Sequence, residues 1–128
     1  MANNGLTGIE LFINNEKVGY LGEIEHNDGF GEAKQEAINL GGGVTETVYT
    51  EDITTKFSMV KVTLKNTKEN QDLKRALKLN KNNNVIELVD TVEGFSRFFT
   101  RMAILNDPTS TTGVDGTIEL EFNGDPAQ

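Results

Sequence analysis

The chain has no cysteine and no tryptophan, and it has a single histidine. Without cysteine, disulfides and thiolate metal sites are excluded. Nor does any apolar run approach the ~18 residues that a transmembrane helix needs. Met1-Ala2-Asn3-Asn4-Gly5 shows no basic stretch leading into an apolar one, so no secretory signal is expected. A soluble protein without a membrane anchor is the expectation. At 128 residues and 14.1 kDa, one domain spanning 1–128 with a single modest core is expected. The apolar fraction, 36%, is below that of a typical globular domain, so part of the apolar surface is expected to be buried between subunits.

What is present is charge, unevenly placed. The net charge is −8, yet residues 56–81 hold eight basic groups against Glu69 and Asp72 and carry +6. The rest of the chain holds four basic and eighteen acidic residues and carries −14. Such a division fits either a solvated helix face or an assembly with one basic and one acidic surface.

Periodicity is mostly that of strands. In 117–123, Ile118, Leu120 and Phe122 alternate with Thr117, Glu119, Glu121 and Asn123, which gives a wall with an apolar back and an acidic front. Residues 8–14 and 17–25 form a hairpin pattern about an Asn15-Glu16 turn, with Ile9, Leu11 and Ile13 on one face. Residues 26–52, with Gly41-Gly42-Gly43, form a long loop, with extended stretches near 33–39 and 44–50. Strands are also expected at 54–65, 85–92 and 95–105. One helix is expected over 67–80, capped by Asn66 with Glu69 in a capping box and an apolar stripe of Leu73, Ala76 and Leu77. Six or seven strands and one helix define a mainly β sandwich or barrel.

Catalytic constellations do not assemble. A Ser-His-Asp arrangement would need His26 near Ser58, Ser96 or Ser110, and none of these serines sits in a Gly-x-Ser-x-Gly elbow. Alternating acids such as Glu119 and Glu121 are those of a solvated strand face rather than of an acid–base pair. Glu119, Glu121, Asn123 and Gly124 match only the first half of a calcium loop. Gly41–Gly43 is not followed by Gly-Lys-Ser/Thr, so it is no phosphate loop. No catalytic residue, metal ligand or cofactor is expected, and the chain is not expected to be an enzyme.

The stretch YTEDITTKFSMVKVTLKNTKEN, followed by NVIELVDTVEGFSRFFTRMAILNDPTSTTGVDGTIELEFNGDPA, resembles the tail tube proteins of contractile-tailed bacteriophages, the Mu-like group in particular. The resemblance runs from Tyr49 to Ala127, and its most specific elements are Gly94-Phe95-Ser96-Arg97, Asn106-Asp107-Pro108, Asp115-Gly116-Thr117 and Gly124-Asp125-Pro126. It implies a β-barrel-like subunit whose strands join those of neighbours into a continuous barrel within a hexameric ring. Rings would stack into the hollow inner tube of a virion tail, assembled in the bacterial host cytoplasm. The implied partners are further copies of the chain, a tail sheath protein, baseplate or initiator proteins and a tape measure protein. The 26–52 loop would contact other subunits or rings.

DNA would pass through the lumen without specific binding. A basic lumen would gain counterion-release free energy at each neutralised phosphate and hold the DNA, whereas an acidic one lets it slide. Some of Glu10, Glu23, Glu25, Glu119 and Glu121 are therefore expected to face the lumen. The basic helix, with Lys74, Arg75, Lys78 and Lys81, is expected outside or at a subunit seam. One alternative is the tube of a pyocin-like or type VI-like injection system, with other cargo. Another is a monomeric β-sandwich binding module gripping a ligand with the 26–52 loop. No tryptophan and only two tyrosines make a poor supply for stacking on sugars.

Overall fold

The computed structural model describes residues 8–127. Among these are ten strands: β1 (Ile9–Ile13), β2 (Glu16–Val18), β3 (Leu21–Asn27), β4 (Glu32–Gly41), β5 (Val44–Asp52), β6 (Ser58–Lys65), β7 (Asn84–Asp90), β8 (Phe95–Ile104), β9 (Thr109–Ser110) and β10 (Thr117–Gly124). One helix, α1 (Lys68–Leu79), lies between β6 and β7. The main sheet runs β2-β1-β7-β8-β10-β6-β3, with β9 on β10, and β4 pairs only with β5.

The expected strand 17–25 is broken at Gly19-Tyr20. β2 stays on β1, while β3 crosses to pair with β6. Because β2 and β3 end the strand order yet adjoin in sequence, the sheet must curl on itself. It does not close into a barrel, and the Tyr20 hydroxyl spans the unpaired seam by donating to the Ile9 carbonyl at 2.7 Å. The first turn is Asn14-Asn15 rather than Asn15-Glu16. Both asparagines have positive φ (52° and 70°), as a tight hairpin turn matching the strand twist demands.

β8 turns the second corner. Phe95–Met102 pair with β7 and Ala103-Ile104 with β10, the change falling beside Arg101 at φ 54°. Gly124 lies against this corner. A Cβ there would stand 2.6 Å from Met102 Sδ and 2.7 Å from the Arg101 carbonyl, so the Gly-Asp-Pro ending marks a close backbone approach.

The two halves of the curled sheet enclose one core. Val60, Val62 and Leu64 of β6, Ile118, Leu120 and Phe122 of β10, Leu11 and Ile13 of β1, and Phe99 and Met102 of β8 are all buried, as the alternation requires. α1 closes the core with Leu77, while Leu73 is partly buried and Ala76, expected in the stripe, is exposed. Its cap is Thr67, whose hydroxyl accepts from Asn70 N–H at 3.2 Å. Asn66, the expected cap, instead donates to the Thr111 carbonyl at 2.7 Å.

β6 starts four residues later than the expected 54–65 strand. The Asp52 carboxylate accepts from Thr54 N–H at 3.1 Å and folds Ile53–Thr55 into a single 3₁₀ turn. The 26–52 region is not an irregular loop. β4 and β5 form an antiparallel ribbon in continuous register from Glu32↔Asp52 to Asn39↔Thr45, with a shift before Gly41↔Val44, turned by Gly42-Gly43 at φ 60° and 79°. Every residue of the ribbon's strands is exposed except half-buried Val48.

Candidate assembly surfaces

The outward face of β3, β6 and β10 carries the acids singled out in the sequence. Lys61 of β6 is in register with Glu25 of β3 on one side and Glu121 of β10 on the other. Glu119 is opposite Thr63 one step along. The register of β3 shifts between Leu21 and Glu25, where the extra length brings Glu23 onto the same surface. The result is an open depression of about 610 Å³ whose charged lining is Glu23, Glu25, Asp107, Glu119, Glu121 and Lys61, net −4. Four of the five candidate acids are thus brought together.

Glu10 is not among them. It lies on the outer face of the opposite half of the sheet, where it accepts from Lys17 Nζ at 2.6 Å. That face carries Phe12, Glu87 and Phe98 in one cross-strand row.

Lys61 shows that the +6 segment is not one surface, because this lysine of the segment sits inside the acidic face. Opposite charges directly across strands contribute about 0.2–1 kcal/mol each. Lys61→Glu would replace both attractions with repulsions. We expect it to cost about 1–2 kcal/mol at low salt, with most of the loss recovered at ~0.5 M salt, read by thermal melts across ionic strength.

The basic side is built around α1. Lys74 Nζ donates to Ser110 Oγ at 3.4 Å and Lys78 Nζ to the Ile104 carbonyl at 2.8 Å, which hold these chains along the rim of the sheet. Arg75 is exposed, and Lys81 follows the helix at φ 55°. Leu79 stands among them 81% exposed. Sequence reasoning missed this apolar spot and the large exposed Phe30 and Ile53 at the ribbon root, because periodicity does not distinguish an unpartnered apolar residue from a buried one.

His26 lies at the seam. Its Nδ1 is 3.9 Å from Asp28 Oδ1 and its ring meets Phe99 edge-on, while Arg97 donates to Asp28 Oδ2 at 2.9 Å. The seam holds a cleft of about 290 Å³ lined by Ile9, Tyr20, Ile24, Leu88 and Phe95 among others. The depressions at the ribbon root, about 570 and 460 Å³, are open and shallow.

No protein-family model matches this chain, and no curated protein is significantly similar to it. Among solved structures, a chain of the cryo-EM structure of the anti-feeding prophage cap, described as the AFP tube terminating cap, is similar with a TM-score of 0.61. The match covers 95% of this chain and 87% of that one at 10% identity, so the likeness is one of fold. The mainly β, tail-tube-like fold with one helix is therefore present as the sequence led us to expect, with its sheet curled but open.

Proposed function

We propose that this chain is a self-assembling structural subunit of a contractile tail or injection particle, and within it a tube subunit. Six copies form a ring, rings stack, and the outward face of β3, β6 and β10 lines the channel. The observation that carries the reading is the net −4 face on a fold similar to that of a tube-terminating cap. A continuous inner wall needs strands of neighbouring copies to pair, and β3 and the short β2, which end the sheet among the described residues, are the edges placed to do so. The ribbon supplies reach between copies or rings. In this role the chain works with a sheath, a baseplate or initiator and a tape measure, and performs no catalysis.

A second reading follows from the structural neighbour, a tube terminating cap: a component that ends a tube rather than repeating along it. Copy number separates the two, because a terminator occurs as one ring per particle.

The test is negative-stain electron microscopy of concentrated protein, alone and with a tail-tip or baseplate complex as seed. Hollow rings or tubes are expected. Monomers that persist under both conditions would end the proposal. For the lining face, Glu119→Lys with Glu121→Lys is expected to leave assembly intact and slow DNA ejection about tenfold or more, through phosphate binding at the new cations. Ejection at the normal rate from such particles would remove these residues from the channel.

A further inference from the structure

We propose that the acidic face of the β4–β5 ribbon docks on the basic C-terminal half of α1 in a second copy of the chain. The inference rests on the self-assembly reading above and names the surfaces that meet.

The ribbon is a two-stranded sheet whose strand residues are exposed apart from half-buried Val48, tied at its root by Glu32 to Thr55 and by Glu51 to Lys56, and two-stranded hairpins are marginal alone in water. Its faces differ. The register places Glu32, Lys34, Glu36, Glu46 and Asp52 on one side, net −3, with Ile38 directly opposite Glu46. The other side carries Ala33, Gln35, Ala37, Asn39, Thr45, Thr47 and Tyr49, with Glu51 at the root already paired to Lys56 at 3.0 Å. Glu36 is paired with Lys34 at 2.8 Å within the first face, and apart from Glu51 every acid of the ribbon lies on that face.

The complementary surface is on the same chain. The second half of α1 and its end bear Lys74, Arg75, Lys78 and Lys81 around exposed Leu79, with no acid among residues 73–81. Both surfaces combine charge with one apolar residue. On the ribbon, Glu36 and Glu46 flank Ile38, which is 44% exposed; on the helix, exposed Arg75 lies one turn before Leu79 and exposed Lys81 two residues after it. The dimensions agree. Residues two apart on one strand lie ~7 Å apart, and Arg75 and Leu79, one turn apart, are separated by ~6 Å along the helix.

Both patches are exposed within one chain, so the ribbon is not folded back on its own helix. A copy that offers one patch and receives the other makes a heterologous, head-to-tail contact, which repeats until it closes into a ring or continues as a stack. A second copy is thus the occupant that the charges specify, and the contact should weaken as salt rises.

The experiment uses two full-length variants. One carries Glu36→Lys and Glu46→Lys, so its ribbon and helix are both basic. The other carries Lys74→Glu, Arg75→Glu and Lys81→Glu, which turns the helix patch from four positive charges to a net −2, so both of its surfaces are acidic. Thermal melts establish that each folds, and sedimentation velocity with electron microscopy reads assembly. Wild type is expected to assemble and each variant alone to remain monomeric. An equimolar mixture is expected to assemble, because every contact then joins opposite charges. If either variant assembles alone as wild type does, or the mixture stays dissociated while wild type assembles, the docking is wrong and the self-assembly reading stands. Wild type that fails to assemble even when seeded overturns both.

Discussion

Asn84→Ala is expected to lower the melting temperature by roughly 11 °C, the equivalent of about 3 kcal/mol for a domain of this size. Asn84 is fully buried. Its amide nitrogen is 3.1 Å from the Leu77 and Met102 carbonyls and 3.2 Å from that of Lys81, and its oxygen accepts from Asn80 at 2.9 Å and Asn14 at 3.2 Å. One side chain thus ties the end of α1 to β8 and to the first hairpin turn. Alanine would remove the donor and leave buried carbonyls without it, and each unsatisfied buried group costs about 1–3 kcal/mol. The neighbouring Asn82→Ala, on an exposed turn, should stay within ~0.5 kcal/mol and serves as the control. Equal melting temperatures for the two variants would show that the amide is not a structural hub.

Asn84 also marks where the sequence stops being legible. In Asn82-Asn83-Asn84 all three residues carry the same local signal, the end of a helix. Only the tertiary fold turns the third inward while leaving the other two outside. The strands that form the core are readable because a period of two puts Val60, Val62 and Leu64, or Ile118, Leu120 and Phe122, on one side wherever the strand pairs. Partner choice is not readable in this way. Nothing local tells that the 17–25 run must break at Gly19-Tyr20 so that its halves join opposite ends of one sheet.

The ribbon was half legible: the extended stretches near 33–39 and 44–50 correspond to β4 and β5, but their pairing with each other was not readable. Two faces without an apolar stripe give no periodic signal, so 26–52 reads as a loop, although Gly42-Gly43 between extended stretches is a hairpin turn. The acidic face was legible residue by residue. The grouping was not, because Glu10 shares the alternation of Glu23 and Glu25 while lying on the opposite side of the domain.

Replacing residues 33–51 with a short glycine–serine connector is expected to abolish assembly and leave the melting temperature within a few degrees of wild type. Glu32 and Asp52 are cross-strand partners, so a connector of two or three residues can rejoin them without moving either. The removed strands contribute no residue to the core, and a shorter closed loop costs slightly less entropy than a long one. The melt therefore reports on the domain, and sedimentation velocity reports on assembly. A fall of ~10 °C or more would mean that the ribbon supports its own domain, contrary to its exposure. Normal rings and tubes would mean that copies meet elsewhere, leaving the free edge of β3 and the Phe12–Glu87–Phe98 row as the surfaces to test next. Loss of assembly with an unchanged melt separates the two parts of the chain by role. That outcome is the one expected if the curled sheet folds by itself and the ribbon, with its strands exposed, is stabilised by joining one subunit to another, as proposed.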